Sequence, residues 1–350
     1  MSLELSKRLL LKSLDQIPKN AVWFHTASIG EFVSSRFIID HISSKYPVFI
    51  TYFSPRSKDF FSKINYPSMP LPLDLPFLWD KLIKTTKPHC LINVEKEFWP
   101  FLIRTNIPKM LINARTPKNA FEKLMISYFD SILAKDEKSF RLLKALNKNT
   151  IMCGNLKLSL DVGYYEQKDS IVVGSTHPQE EQVLIDTIKW ILNSTNYRIF
   201  LAPRHIKRVK EVSELLRKNN IDFRLRTEKE EARVVVLDTM GELKNFYKKA
   251  LVSIVGGSFV KGYGGHNIVE PVSVGSYVLY GVYVEKIEDI ANVLETMGLG
   301  FRVNKENIID TLKSCLENPL DDKRLLDLKT YIESIKNCYI SHVEQFVKSV

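Results

Sequence analysis

The sequence predicts an α/β protein with two consecutive doubly wound domains, each a parallel β-sheet covered by helices. Short runs of β-branched and aromatic residues alternate with longer stretches of helical periodicity, which is the pattern of βαβ units. The pattern stops near residues 161–168 and then starts again. The chain has 350 residues, of which 45% are hydrophobic, so it is long enough for two domains with separate cores.

Ten strands are predicted, five on each side of this break. They cover residues 21–25, 48–53, 90–94, 110–113 and 131–134, and then 170–173, 198–202, 233–237, 252–255 and 277–280. We expect the first domain at 1–162 and the second at 168–324. A charged last helix, about 325–350, is a candidate for packing back on the first domain. Two such domains place a ligand cleft between them, at the carboxyl ends of both sheets.

The charge is strongly basic: 50 Lys and Arg against 40 Asp and Glu give a net +10. Such an excess attracts polyanions, whether nucleic acid, an acidic membrane or a phosphorylated ligand. Cys90, Cys153, Cys315 and Cys338 lie far apart without the spacing of a metal site, which predicts reduced thiols. No window approaches 18 uninterrupted apolar residues, so any membrane contact is expected to be peripheral.

The N-terminal residues 3–17 predict an amphipathic helix. Leu3, Leu10, Leu14 and Ile17 follow helical spacing, and basic residues lie between them. Two interpretations stay open for its apolar face. It docks on its own domain, or it contacts a membrane.

Two acidic stretches follow predicted strands in the first domain. The segment HTASIGE (25–31) places Glu31 in the first turn of a helix, as a candidate general base or as a charge that complements the helix dipole. Glu95 and Glu97 follow the third strand, where alternation predicts that they share one face. They are a second acid/base candidate, or solvated loop charges.

Three polar turns follow strands of the second domain. GSTHPQEE (174–181) suits phosphate or sugar contacts, or a helix cap by Ser175 or Thr176. Arg204 ends a strand and suits a phosphate, whereas Lys207, Arg208 and Lys210 read as a solvated helix face. In DTMGEL (238–243), the backbone around Met240 and Gly241 suits the edge of a pyrimidine base.

The stretch VGGSFVKGYGGHNIVEP (255–271) is the most specific motif. Its five glycines follow an apolar strand and open a helix that we expect to begin at Asn267, with Asn267 and Glu270 as a variant capping box. The free N–H groups there predict an anion site, and Glu270 is a candidate for binding ribose. The motif matches neither a dinucleotide fingerprint nor a P-loop. The alternative is a purely structural glycine turn.

Together these segments resemble the 3-deoxy-D-manno-octulosonic acid (Kdo) transferases. The resemblance rests on the following stretches, which occur in family order over about residues 20–290: WFHTASIGE (23–31), EKEFWP (95–100), NAR (113–115), GNLK (154–157), GSTHPQEE (174–181), PRH (203–205), DTMGEL (238–243) and GGSFVKGYGGHNIVEP (256–271). Each stretch alone is weak, but the ordered set is specific.

This resemblance implies a GT-B fold, in which two doubly wound Rossmann-like domains face each other across a cleft. The first domain would bind the acceptor and the second the donor, CMP-Kdo. Glu31 would be the general base, and Glu97 and Lys157 would support the transition state. The implied CMP contacts are Pro203, Arg204, Met240, Gly241, Glu242, Asn267, Ile268, Val269 and Glu270.

The implied reaction is inverting transfer of Kdo to the lipid A precursor, lipid IVA, in lipopolysaccharide synthesis. We expect no metal and no cofactor, since the chain has no Asp-x-Asp pair. We expect peripheral association with the cytoplasmic face of the bacterial inner membrane and no nucleic-acid partner. Many family members begin with a hydrophobic anchor, which is not found here. The alternatives are another GT-B nucleotide-sugar transferase or epimerase, and a non-catalytic module that binds membranes or nucleic acid.

Overall fold

Across the residues that the structure describes, the protein contains two seven-stranded sheets, and every strand pair is parallel. The computed structural model describes residues 3–95, 97–163, 168–228 and 231–350. The chain divides into two compact units. The first comprises the residues up to Ser159 together with Ile332–Val350, and the second comprises Leu160–Tyr331. The predicted α/β class is confirmed.

The sheet of the first unit has the strand order β3-β2-β1-β4-β5-β6-β7. Its strands are β1 (Val22–His25), β2 (Val48–Tyr52), β3 (Ser68–Pro70), β4 (Cys90–Val94), β5 (Lys109–Ala114), β6 (Ser131–Ala134) and β7 (Thr150–Met152). The helices of this part of the chain are α1 (Leu3–Arg8), α2 (Ile29–Ser43), α3 (Lys58–Phe61), α4 (Pro76–Thr86), α5 (Pro100–Ile103), α6 (Ala120–Ile126) and α7 (Glu137–Leu146).

The sheet of the second unit has the order β10-β11-β9-β8-β12-β13-β14. Its strands are β8 (Ser170–Thr176), β9 (Arg198–Pro203), β10 (Arg224–Leu225), β11 (Val234–Val236), β12 (Ala250–Val255), β13 (Tyr277–Tyr280) and β14 (Gly300–Arg302). The remaining helices are α8 (Glu180–Ser194), α9 (Val209–Lys218), α10 (Leu243–Lys249), α11 (Val269–Ser273), α12 (Glu288–Thr296), α13 (Ile308–Glu317) and α14 (Asp322–Ser349). Short 3-10 turns lie at Pro55–Ser57, Leu156–Leu158 and Ile206–Arg208.

All ten predicted strands are present, and their bounds shift by only a few residues. The four strands that the sequence did not predict, β3, β7, β10 and β14, are the four edge strands. Each has three residues or fewer. An edge strand has one neighbour and is partly exposed, so it needs no long apolar run. The interior strands are buried on both faces, which makes their apolar runs readable.

The last helix, α14, crosses the division between the units. From Ile332 onwards its residues belong to the first unit. There, Tyr339 Oη donates a hydrogen bond to the Gly154 carbonyl at 2.7 Å, and Glu344 contacts His41 and Lys45, each at 2.8 Å. Residues 164–167 of the predicted linker lie outside the described residues. In the described parts of the chain, no helix combines the length and apolarity needed to cross a bilayer.

The N-terminal helix is shorter than predicted, because α1 ends at Arg8 and Leu10 adopts a left-handed conformation with φ of 51°. The Leu10 carbonyl accepts a hydrogen bond from Lys81 Nζ. Leu10, Leu14 and Ile17 are buried in a core cluster with Trp23 and other side chains of the first unit. These three apolar residues therefore dock on their own domain, which is one of the two interpretations left open by the sequence.

Two of the four cysteines form a disulfide, so the prediction of reduced thiols is wrong for Cys153 and Cys338. Cys153 follows β7, and Cys338 lies on the part of α14 that belongs to the first unit. The pairing joins residues 185 positions apart, which is why spacing gave no sign of it. Cys90 and Cys315 are free, and burial raises the pKa of each thiol to about 12.

Cys338→Ser should lower the stability of the protein, because the cross-link restricts the unfolded chain. For a loop of this length we expect a loss of about 2–5 kcal/mol in the free energy of unfolding. Thermal unfolding of the oxidised wild type and of the variant measures the difference. A reductant should lower the melting temperature of the wild type to that of Cys338→Ser and leave the variant unchanged. Equal melting temperatures in oxidising buffer would refute this role.

Candidate active site

The helix α2 begins where β1 leaves the carboxyl edge of the first sheet. Ser28 precedes it in extended conformation, and its hydroxyl accepts a hydrogen bond from the Glu31 N–H at 3.3 Å. The Glu31 carboxylate turns back and accepts one from the Ala27 N–H at 2.6 Å. This reciprocal arrangement resembles a capping box. It holds the Glu31 side chain at the start of the helix rather than in bulk solvent.

The Glu31 carboxyl has an unusual acidity. Burial is the main cause that raises its pKa, from 4.5 to about 7, and the negative charges of Glu95 and Glu97 raise it further. The hydrogen bond from Ala27 opposes this shift but does not cancel it. A carboxyl with this pKa exchanges a proton near neutral pH, as a general base must. Helix capping and acid/base chemistry are therefore compatible roles for Glu31.

Glu95 and Glu97 lie beyond the end of β4 at Val94, so the strand alternation predicted for them does not apply. Glu95 has a left-handed backbone with φ of 59°, and its carboxylate accepts a hydrogen bond from Asn113 Nδ2 at 3.1 Å. Burial raises the pKa of Glu97, Arg115 lowers it and Glu95 raises it. Both carboxylates have specific partners or neighbours and are not simply solvated. Lys96 lies outside the described residues.

Lys157 is exposed on the 3-10 turn Leu156–Leu158. Asn155 accepts a hydrogen bond from the Lys157 N–H, and Asn113 Oδ1 accepts one from the Leu156 N–H. We call Glu31, Glu95 and Glu97 the acidic cluster. The Asn113 side chain also donates to Glu95, so one amide links the acidic cluster to the turn that carries Lys157. Ser159 completes the arrangement by donating to the Ser34 carbonyl on α2, the helix that carries Glu31.

Asn113 lies beside Glu95 and Arg115 beside Glu97. Neither was a predicted site residue, although both belong to the NAR stretch. Asn113 has φ of 53° at the end of β5, a conformation that asparagine tolerates better than most residues. One sequence feature could have identified Asn113 as a candidate: it lies near the end of β5, the strand that pairs with β4.

His25 is fully buried, and burial lowers its pKa to about 4. Its Nδ1 lies 2.9 Å from Thr51 Oγ1, which also accepts a hydrogen bond from Trp23 Nε1. The ring is thus neutral at physiological pH and fixed inside the sheet. It is unsuited to act as the base.

In the second unit, Pro203 ends β9 and Arg204 is exposed directly after it. The Arg204 N–H donates to the Thr176 carbonyl at 2.9 Å, which ties this strand end to the end of β8. Arg208 departs from its predicted role on a solvated face. Its guanidinium contacts the buried Glu181 carboxylate at 2.7 and 2.9 Å. Fixed bidentate geometry makes Arg208 structural.

The turn before α10 contains Met240, Gly241 and Glu242. Met240 is 84% exposed, and Gly241 has φ of 83°, a conformation that favours glycine. Glu242 accepts a hydrogen bond from Thr239 Oγ1 and lies 3.6 Å from Arg226 Nε. The backbone beside Met240 is thus presented to solvent.

The glycine-rich motif leads into α11, which begins at Val269 rather than at Asn267. Asn267 is exposed, and its Oδ1 accepts hydrogen bonds from the N–H groups of Val269 and Glu270 at 3.1 and 3.4 Å. Ile268 and Val269 are buried. Burial raises the pKa of Glu270, and Lys244 opposes this shift. Because α11 has only five residues, its dipole is weaker than the sequence suggested.

The sequence is similar to known proteins, in one case over its full length. A profile described as 3-deoxy-D-manno-octulosonic-acid transferase matches residues 4–160. The chain is 34% identical to the 3-deoxy-D-manno-octulosonic acid transferase of Aquifex aeolicus, with 100% of both proteins covered. This chain belongs to the Kdo transferase family. A relative of the same name from Chlamydophila psittaci is 27% identical over 85% of this chain and 77% of its own.

Solved structures identify the fold of this Kdo transferase family member as GT-B. A glycosyltransferase from Rickettsia africae aligns with a TM-score of 0.61 and 13% identity, over 95% of this chain and 98% of its own. UDP-GlcNAc 2-epimerase from Neisseria meningitidis aligns with a TM-score of 0.63 and 14% identity, over 93% and 99%. Identities this low concern the fold alone. The family membership makes the protein a glycosyltransferase.

Glu31→Gln should stabilise the protein at alkaline pH. Because the folded-state pKa is raised, the stability linked to Glu31 protonation is present below pH 4.5 and lost as the pH rises through about 7. Relative to wild type, the variant should therefore gain about 1–3 kcal/mol between pH 4 and pH 8. Urea unfolding across this range measures the gain. Glu137→Gln, which changes an exposed acid in the first turn of α7, is the control and should show little pH-dependent gain. Parallel curves for wild type and Glu31→Gln would contradict the assigned pKa.

Proposed function

We propose that the protein transfers Kdo, with inversion, from CMP-Kdo to a sugar hydroxyl of lipid IVA in lipopolysaccharide synthesis. The observation that carries this proposal is the partly buried Glu31 carboxyl, held at the start of α2 by the Ala27 N–H beside Glu95 and Glu97, in a chain of the Kdo transferase family. The profile match covers the segment that bears Glu31, Glu97 and Lys157.

The chemical step is a single displacement at the anomeric carbon of Kdo. The acceptor oxygen forms the new bond, its proton passes to the Glu31 carboxylate, and the bond to the CMP phosphate oxygen breaks. CMP leaves with the electron pair. General-base assistance contributes about a hundredfold to ten-thousandfold. Because the pKa of Glu31 is about 7, a large fraction of its carboxyl is ionised at neutral pH and can accept the proton. The protonated carboxyl that results is also a stable state at this pH.

Lys157 and Glu97 would act on the charges that this step creates. Lys157 brings a positive charge on a turn tied through Asn113 to the acidic cluster. Glu97 lies beside Arg115, and its carboxylate would stabilise positive charge that develops on the sugar ring. Fixed charges that are already oriented stabilise a transition state without a reorganisation cost.

The donor would be bound by the second unit. Arg204 at the end of β9 is suited to the CMP phosphate, because a guanidinium donates two hydrogen bonds to an anion. The exposed backbone at Met240 and Gly241 is suited to the cytosine edge, and Glu270 to ribose hydroxyls. The remaining predicted contacts are Pro203, Glu242, Asn267, Ile268 and Val269. With a cationic side chain at the leaving phosphate, we propose that no metal or cofactor takes part.

The acceptor is a lipid, so the protein would work at the cytoplasmic face of the inner membrane. Exposed apolar side chains collect in the first unit, and we define the apolar patch as Leu11, Leu73, Leu75, Phe77 and Phe101. The loop between β3 and α4 carries Leu73 and Leu75 and is hydrogen-bonded to Arg8 and Phe101. Its Leu73 N–H donates to the Arg8 carbonyl, and its Asp74 accepts from the Phe101 N–H, each at 3.1 Å.

The proposed reaction is tested with purified protein, CMP-Kdo and lipid IVA in detergent, with EDTA present. Mass spectrometry should show the mass of one or more Kdo residues added to the lipid. Glu31→Gln should lower the rate by about a hundredfold or more, because the acceptor proton has no base. On the acidic side, the wild-type rate should fall with an apparent pKa near 7.

Glu137→Gln again provides the matched control, since it is also an acid in a first helical turn of the first unit. Its rate should stay within about twofold of wild type, as expected for an exposed side chain without contact to substrate. If folded wild type adds no Kdo, the donor and acceptor assignments fail, and other nucleotide sugars, including UDP-GlcNAc as an epimerase substrate, become the next candidates. A rate restored only by a divalent metal would overturn metal independence.

The membrane assignment is tested by sedimentation with anionic phospholipid vesicles. Leu11 and Phe77 are 65% and 62% exposed, so Leu11→Ser with Phe77→Ser should fold normally. The pair should bind vesicles about tenfold or more weakly, because the bilayer would otherwise bury both side chains. Val282→Ser with Leu326→Ser changes two exposed apolar residues of the second unit and should leave binding unchanged. Equal binding by both pairs would exclude the apolar patch as the contact surface.

A further inference from the structure

Glu180 is a fully buried carboxylate at the start of α8, with 0% of the residue exposed. Its neighbour Glu181 is paired with Arg208. Among the described ion pairs, none contains Glu180. Such a group is costly to bury unless hydrogen bonds satisfy it. Its contacts therefore indicate a specific role.

The Glu180 carboxylate accepts hydrogen bonds only from backbone N–H groups, within the described contacts. Oε2 accepts from His177 at 2.8 Å and Oε1 from Phe259 at 2.9 Å, while the Gly257 N–H lies 2.8 Å from both oxygens. His177 belongs to the turn after β8, whereas Gly257 and Phe259 open the glycine-rich loop after β12. Since β8 and β12 are paired neighbours, one side chain joins the two loops that leave the sheet together.

The packing at Glu180 and His266 leaves no room for a Cβ at two positions of the adjoining loop, Gly256 and Gly257. A Cβ at Gly256 would lie 2.7 Å from Glu180 Oε2, and one at Gly257 would lie 2.6 Å from the His266 ring. His266 makes a second contact between the two loops, because its Nε2 lies 2.7 Å from Nε2 of His177. His266 directly precedes Asn267, the first residue of the proposed CMP-binding segment.

We infer that Glu180 is a positioning residue, which holds the glycine-rich loop in the conformation that binds CMP. It does so through three backbone N–H groups and does not itself touch the donor. The inference rests on the proposed assignment of CMP to the second unit. It extends that assignment, because the predicted contacts depend on the conformation of a loop that is fixed from a neighbouring strand end.

Glu180→Gln is the direct test. A glutamine amide has one acceptor oxygen and one donor nitrogen, so no orientation of it satisfies all three N–H groups. Amide hydrogen exchange of residues 256–271 should become about tenfold to a hundredfold faster, as expected for loss of hydrogen bonds to a charged group. The dissociation constant for CMP, measured by calorimetry, should rise by a similar factor. In turnover assays the KM for CMP-Kdo should rise more than kcat falls.

Glu181→Gln is the matched control, since it also neutralises a buried carboxylate of α8 but contacts Arg208 and Thr176 rather than the loop. Its loop exchange should stay within about twofold of wild type even if its melting temperature falls. If Glu180→Gln does not fold, Glu180→Asp keeps the charge but is one methylene shorter, and it should show the same effects at smaller size.

The outcomes separate this inference from the proposed function. If wild type fails to bind CMP, the donor assignment is wrong, while hydrogen exchange still decides whether Glu180 holds the loop. If wild type binds CMP and both Glu180 variants show unchanged exchange and unchanged CMP affinity, the positioning role is refuted. Faster exchange with unchanged CMP affinity would also refute it, because the loop conformation would then not govern binding.

Discussion

Parallel pairing of strands that are distant in the sequence is the constraint on which both candidate sites depend. β1 pairs with β4, with His25 opposite Asn93, and β8 pairs with β12, with Gly174 opposite Val255. Parallel neighbours end at the same edge of a sheet, so the loops that follow them leave side by side. The helix start that carries Glu31 thereby meets the acidic stretch after β4. The turn after β8 likewise meets the glycine-rich loop.

Removing a carboxylate from water costs free energy, and Glu31 and Glu180 differ in how many hydrogen bonds offset this cost. Glu31 has one backbone donor and two negative neighbours, and its pKa rises to about 7. Glu180 is more deeply buried, but three N–H groups point at it. The first arrangement leaves a proton that is easily exchanged, which suits chemistry. The second satisfies the carboxylate with hydrogen bonds from backbone N–H groups, which suits the positioning of a loop.

Structural features that arise from local residue patterns are predictable from the sequence, whereas features that arise from distant contacts are not. Interior strands have long apolar runs because both faces are buried, and they were found. Edge strands were missed, and so was the disulfide between Cys153 and Cys338, because neither needs a local pattern. The helix over residues 3–17 was too long, since helical spacing of leucines does not reveal that Leu10 takes a left-handed conformation. The sequence predicted that Arg208 is solvated, because its partner Glu181 lies on another helix and the pairing leaves no local pattern.

The sequence by itself determined the α/β class, the interior strands and the order of motifs by which the chain resembles its family. These properties are encoded locally, in apolar runs and in short ordered stretches. Only the tertiary structure decided the state of the side chains. The raised pKa of Glu31 depends first on its burial in the folded chain and then on Glu95 and Glu97 from another strand end. The hydrogen bonds of Glu180 depend on N–H groups from the loop after β12. Electrostatic and hydrogen-bond energies depend on distance in space, which spacing along the chain does not specify.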